Sequence, residues 1–173
     1  DDGRDSTLSA VYDLLKTAID ETRTLTFELS PPVLYEIGLE DAIESLFDEI
    51  RVRYKLQVTL EKKGVSREID MDMRTELFRD IRELLNNVIK HANAEEARVR
   101  MEYSDSNMVI EVHDNGDGFD SDIISQNMLQ QTSYGLFSIR ERMTALGGTF
   151  AIKSNLNRGT SVRIELPMHN GPK

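Results

Sequence analysis

The spacing of apolar residues changes abruptly at Ala94, and no other feature of the chain restricts its fold as strongly. Before that point Leu77, Ile81, Leu84, Leu85 and Val88 recur at steps of three and four, the stripe of a helix packed on one side. After it, residues 97–103 and 108–113 alternate apolar with polar, the period of half-buried strands. Ser104-Asp105-Ser106-Asn107 between them is turn chemistry. A one-striped helix and a one-faced hairpin bury both apolar surfaces by laying helix on sheet.

The rest of the chain extends this pattern. Residues 6–29 predict another helix, with Leu8, Leu15, Thr22 and Leu29 on one heptad position and Val11, Ala18 and Leu25 on a second. Leu14 and Ile19 widen the stripe. Such a helix suits the seam of a bundle, and it also suits a helix lying on its own domain. Pro31-Pro32 stops it, because proline cannot continue the hydrogen-bond ladder. A boundary near residues 30–34 therefore separates a bundle helix, residues 1–30, from a second unit, residues 31–173. In that unit a helix is expected over residues 39–54, with Leu39, Ile43, Leu46, Phe47 and Ile50 inward. A strand is expected over 56–60, then a turn at Lys62-Lys63-Gly64. Asp70 or Asp72 caps the next helix, which runs to about Lys90. Residues 121–133 are polar and without period, the mark of a functional or mobile connection. A helix over 136–146 stops at Gly147-Gly148. Strands over 149–154 and 160–166 follow, and residues 167–173 read as a frayed tail. The order predicts an α+β fold: a two-layer α/β sandwich with a mostly antiparallel mixed sheet, plus an N-terminal bundle helix.

Composition narrows the functions. A net charge of −10 and a pI of about 4.8 oppose binding to nucleic acid or an anionic membrane, though not a local nucleotide site. Without cysteine there is no disulfide framework and no thiolate chemistry, which fits a cytoplasmic setting. No apolar run reaches the roughly 20 residues of a membrane span, and no signal peptide is visible. The opening Asp1-Asp2-Gly3-Arg4 has no initiator methionine and reads as part of a longer protein, whose anchoring is open. G-x-x-x-x-G-K-[ST] and G-x-G-x-x-G patterns are both absent. The three histidines are scattered, which argues against structural zinc.

Four groups carry chemistry. On the central helix Glu83, Asn87 and Lys90 or His91, with Asn86 alongside, fall on neighbouring turns. An acid, an amide and a cation in a row suit a metal–polyphosphate, and they also suit a solvated helix face. Asp114-Asn115-Gly116-Asp117-Gly118-Phe119 follows an apolar strand. A carboxylate held there accepts a hydrogen bond from an exocyclic amine such as that of adenine, and rejects the carbonyl of guanine. The same residues make a plain turn. They fail as a calcium loop, because Gly116 occupies a ligand position. Tyr134-Gly135-Leu136-Phe137 opens a helix, whose free amides make an anion site. Arg140 and Arg142 behind it either add charge or lie on the surface. Asn157-Arg158-Gly159-Thr160 enters the last strand.

In order and spacing these groups resemble the nucleotide boxes of the gyrase–Hsp90–histidine kinase–MutL ATPases. They look most like the catalytic domain of bacterial two-component sensor histidine kinases of the nitrate-sensor and DesK-like branch. The matching pieces are Glu83-Leu-Leu-Asn-Asn-Val-Ile-Lys-His-Ala, Asp114-Asn-Gly-Asp-Gly-Phe, Tyr134-Gly-Leu-Phe-Ser-Ile-Arg-Glu-Arg-Met and Asn157-Arg-Gly-Thr. Leu29-Ser-Pro-Pro-Val-Leu-Tyr-Glu-Ile-Gly-Leu-Glu-Asp-Ala resembles that branch's junction between dimerisation helix and catalytic domain. The resemblance spans about residues 25–166. It implies ATP with Mg²⁺, the metal ligated by Asn87 and reached by Glu83 through water. It implies that Lys90 and His91 approach phosphate or ribose, that Asn86 is among the nucleotide-binding residues, and that Asp114 reads adenine with Gly116 and Gly118 making room. Residues 121–133 become an ATP lid, Gly135 and Leu136 hold phosphate at its hinge, and Thr160 supports the adenine end. The implied reaction transfers the γ-phosphoryl group to a histidine, then to a response-regulator aspartate, within a homodimeric parent.

Two departures stand out. His113-Asp114 is the sole histidine–acid pair, and it lies in the adenine box, so the phosphoacceptor helix is expected to be missing and the chain alone is not expected to phosphorylate itself. The lid box is lean, with Gly135 the one glycine between Gly118 and Gly147. Two other readings compete: a non-catalytic dimerisation module with a vestigial site, and an anti-sigma-factor-like serine kinase. Intact Asn87, Asp114 and Gly116 oppose the first, and the junction at residues 29–42 opposes the second.

Overall fold

The computed structural model describes residues 34, 36–120 and 134–168. The expected bundle helix, the Pro31-Pro32 break, the lid segment and the last residues of the tail lie outside the described residues. Within them, α1 is Leu39–Tyr54, β1 Gln57–Lys63, α2 Met71–Asn87, β2 Glu96–Tyr103 and β3 Asn107–Asp114. Then come α3 Tyr134–Ala145, β4 Thr149–Ser154 and β5 Thr160–Pro167. The five strands form one sheet in the order β1-β2-β3-β5-β4. β1 and β2 are parallel and the remaining pairs antiparallel. A parallel pair needs a long crossover, and α2 supplies it.

Alternation decides which face of the sheet is covered. Val58, Val99, Met101, Ile110, Val112, Val162, Ile164 and Leu166 are buried, while most of the residues between them are exposed or half-buried. Ile43, Phe47 and Ile50 of α1, Leu77, Ile81 and Leu85 of α2, and Ile139 and Met143 of α3 complete the same core. Burying a side chain of this size contributes about 1.5–3 kcal/mol. The opposite face is polar and carries surface pairs such as Arg98–Glu61 at 3.2 Å and Lys63–Glu102 at 2.7 Å. Among the described residues no helix is long and apolar enough to cross a membrane.

Some expected boundaries move. Lys62 and Lys63 belong to β1, because they pair with Met101 and Glu102 of β2; the turn falls on Gly64 alone. β5 runs through Pro167, and Met168 N–H reaches the Ser106 carbonyl at 2.7 Å, so the start of the expected tail is held to the sheet. Asp70 is the cap of α2, its Oδ1 accepting from Met73 N–H at 2.9 Å. The helix leaves the α form after Asn87. Val88–Ala92 is a π turn, closed by Asn93 in the left-handed region at φ 50°. Widened turns of this kind are rare and concentrate at functional sites.

One charge lies inside the apolar layer. Asp80 is fully buried on α2, between Leu77 and Leu84 in the stripe, and bonds to the Arg142 guanidinium on α3. Burial pushes its carboxyl up to about 6 despite that bond. Folded protein therefore holds the proton more tightly than unfolded chain. The stability due to this group is complete below about pH 4 and is lost as pH rises through about 6, a loss of order 3 kcal/mol. In Asp80→Asn that acid-side slope is expected to flatten; denaturant midpoints measured from pH 4 to 7 test it. An unchanged slope would assign the titration elsewhere.

Candidate functional site

The core face of the sheet changes chemistry in a single register row. Met101, Ile110, Ile164 and Phe150 stand side by side across β2, β3, β5 and β4. Val99, Val112, Val162 and Ile152 form the next row. Two residues further on, the same face carries Ala97, Asp114, Thr160 and Ser154. Three polar side chains thus stand at strand ends, where an apolar core would place another layer of aliphatics.

Asp114 is the charge in that row, 4% exposed. Its Oδ1 accepts from Gly116 N–H at 2.9 Å and from Thr160 N–H at 3.3 Å, so neither bond occupies Oδ2. Burial raises its carboxyl above the ordinary range, and those two N–H groups and nearby His113 draw it back down.

Backbone contacts sew the surrounding segments to the row. Asp117 N–H bonds the carbonyl of Ala92, at the end of the π turn, at 2.7 Å. A Cβ on Gly116 would stand 2.0 Å from that same carbonyl, so this approach requires glycine. Asn157 N–H bonds the Asp117 carbonyl at 2.6 Å, which brings in the β4–β5 turn. Gly118 lies over the carbonyl of Asn155 in the same turn. Asn115 leaves the row and pins the start of β2, its Oδ1 accepting from Glu95 and Glu96 N–H at 3.1 and 3.0 Å.

The helices close the site from the other layer. Gly135, in the first turn of α3, packs so closely on Glu83 of α2 that a Cβ would lie 2.3 Å from Oε1. Glu83, Asn86, Asn87 and Leu136 are half-buried, and Lys90 and His91 are exposed on the π turn. Asn87 Nδ2 is buried with no hydrogen-bond partner. Leaving such a group unpaired costs about 1–3 kcal/mol. A half-turn of the amide would put Oδ1, an oxygen donor suited to a hard cation, in its place.

The structure therefore joins α2, the β3 end, the start of α3 and the β4–β5 turn by direct contacts. It also settles the direction of Arg142, half-buried, bonded to Asp80 and 3.3 Å from Glu76. Arg140 stacks over Phe137, 5.2 Å from the ring centre. Ser154 and Asp80 are polar residues that the sequence reading passed over. Each sits in phase with apolar neighbours, Phe150 and Ile152 or Leu77 and Leu84, and that is the signal by which both are found.

A helix layer thus covers one face of a mixed sheet, with a buried aspartate and glycine turns at the strand ends. The family model for histidine kinase-, DNA gyrase B- and HSP90-like ATPases matches residues 72–170, and the chain belongs to that family. It is 31% identical over 155 residues to the oxygen sensor histidine kinase NreB of Staphylococcus carnosus, covering 90% of this chain and 44% of NreB. The chain thus spans less than half of that relative. The histidine kinase AdeS of Acinetobacter baumannii shares the fold at a TM-score of 0.62 and 17% identity, over 95% of this chain and 84% of that one. The histidine kinase domain of the blue-light activated kinase of Erythrobacter litoralis gives 0.58 and 21%, over 75% and 59%.

Proposed function

We propose that the chain is the ATP-binding catalytic part of a sensor histidine kinase. It holds Mg-ATP over the polar row and donates the γ-phosphoryl group to a histidine on another segment, for relay to a response-regulator aspartate. The observation that carries this reading is Asp114: a buried carboxylate with one oxygen held by backbone and the other not used by those bonds. Adenine presents an amine to such an oxygen, and guanine presents a carbonyl that it repels. Thr160 supports that end. Asn86, Lys90 and His91 stand toward ribose and phosphates, and the N-terminal amides of α3 at Gly135 and Leu136 receive a phosphate.

Asn87 would hold Mg²⁺, and the buried unpaired end of its amide fits that role. Glu83, one turn away, would hold the metal's water. When bound, Mg²⁺ supplies charge neutralisation on the phosphate oxygens. The protein's own contribution is positioning. An imidazole nitrogen attacks the γ-phosphorus, the bond to the β–γ bridging oxygen breaks, and ADP leaves. ATP supply argues for the cytoplasmic side for this part of a homodimeric parent.

Labelled γ-phosphate ATP tests the reading. The isolated chain is expected to bind ATP in Mg²⁺ and to stay unlabelled. Adding the parent's phosphoacceptor helix is expected to give an acid-labile, base-stable label on that helix. Label on a serine of a separate partner, or an acid-labile label on the isolated chain, would overturn it.

A further inference from the structure

Ser154 Oγ makes three polar contacts with a single proton to give. Phe119 N–H lies 2.8 Å away, the Gly159 carbonyl 3.1 Å and Thr160 Oγ1 2.9 Å. The first only donates and the second only accepts. A hydroxyl donates once and accepts twice. Giving the Ser154 proton to Gly159 leaves two lone pairs, one for Phe119 N–H and one facing Thr160. All three contacts are then satisfied if Thr160 donates its own proton to Ser154. The reverse direction sets the Ser154 and Gly159 oxygens against each other at 3.1 Å with no proton between them. Ser154 is 4% exposed, and a bond left unmade there is poorly replaced by water. Thr160 Oγ1 therefore keeps only lone pairs for anything bound beside Asp114.

We infer that Ser154 is a positioning residue for base selectivity: it fixes the Thr160 hydroxyl as an acceptor, so that the Asp114–Thr160 corner accepts hydrogen bonds and donates none. This rests on the adenine reading of Asp114. The carboxylate repels a carbonyl by charge. An unrestrained threonine hydroxyl would partly undo that by rotating and donating to the carbonyl, and Ser154 removes this option. The ligand class is a purine with an exocyclic amine at the ring position where a 6-oxopurine carries its carbonyl.

The test is calorimetric titration with ATP and with ITP, which carries that carbonyl. The proteins are the unaltered chain, Ser154→Ala, Thr160→Val and the double variant, each checked by thermal unfolding. Ser154→Ala is expected to reduce the preference for ATP over ITP by about three- to tenfold. Thr160→Val is expected to reduce it as well, and adding Ser154→Ala to Thr160→Val is expected to change the ratio no further. A purely structural serine would weaken both nucleotides by one factor. An unchanged ratio in folded Ser154→Ala, or additive effects in the double variant, would overturn the inference. Should Ser154→Ala fail to fold, Ser154→Cys supports the same comparison, since a thiol of similar size donates and accepts only weakly. Equal binding of ATP and ITP by the unaltered chain would instead overturn the adenine reading.

Discussion

Asp114→Asn is expected to lower ATP affinity about ten- to a hundredfold in a protein that stays folded. The substitution is isosteric. Its remaining oxygen still accepts from Gly116 and Thr160 N–H, the two bonds that hold the side chain in place. The other oxygen becomes an NH₂, which meets the adenine amine donor to donor. A charged hydrogen bond of about 1.5–3 kcal/mol is lost with it. Stability is expected to hold or rise, because burial already disfavours the charge at this position. Titration with ATP and GTP beside a thermal melt separates binding from folding. Unchanged ATP affinity in the folded variant would move the base away from Asp114.

Gly159→Ala is expected to be strongly destabilising, and Gly147→Ala provides its control. Both glycines lie in the left-handed region, at φ +73° and +74°. Alanine there costs about 1–2 kcal/mol from backbone strain alone. At Gly147 the nearest atom to the new methyl is Pro167 Cγ at 3.7 Å, an ordinary contact. At Gly159 the methyl would stand 1.9 Å from the Asp114 carbonyl oxygen and 3.2 Å from Asn115 Cα. Both obstacles are backbone and cannot rotate aside. Strain and overpacking together amount to about 3–5 kcal/mol, or roughly 10 °C or more in the midpoint of unfolding. Equal melting temperatures for the two variants would mean that the close approach at Gly159 contributes nothing. Nucleotide binding is expected to weaken along with stability at Gly159, because the backbone the methyl displaces is that of Asp114.

Periodicity carried the fold a long way because each element here has one buried face. The stripe from Leu77 to Val88 and the alternation across residues 97–113 required a helix on a sheet, and the observed layers agree. The π turn at Val88–Ala92 was not readable, since one widened turn does not disturb a pattern measured over several. Pairing order was equally hidden. Nothing in the local pattern of residues 160–166 says that this strand enters between β3 and β4, because register depends on partners far away in sequence. Asp114 and the glycines around it were readable as a sharp turn at the end of a strand. The direction of Arg142 was left open because Asp80 had been overlooked, and an arginine's direction depends on where its carboxylate lies. Asn115, set between two residues of clearer purpose, holds β2 through bonds to residues 19 and 20 positions earlier, a pairing with no local trace.

The strand order also has a consequence for how the molecule is made. β5 is the last of the five strands in sequence and an interior one in space, flanked by β3 and β4. As the chain leaves the ribosome, β4 has no partner and β3 shows an open edge until residues 160–167 have emerged. Open edges of this kind invite pairing with other chains. Thr160 arrives with the same strand, so its bond to Asp114 and the closed sheet come into being in one step. A nascent or truncated chain lacking that strand has neither the closed sheet nor the bond from Thr160 N–H to Asp114.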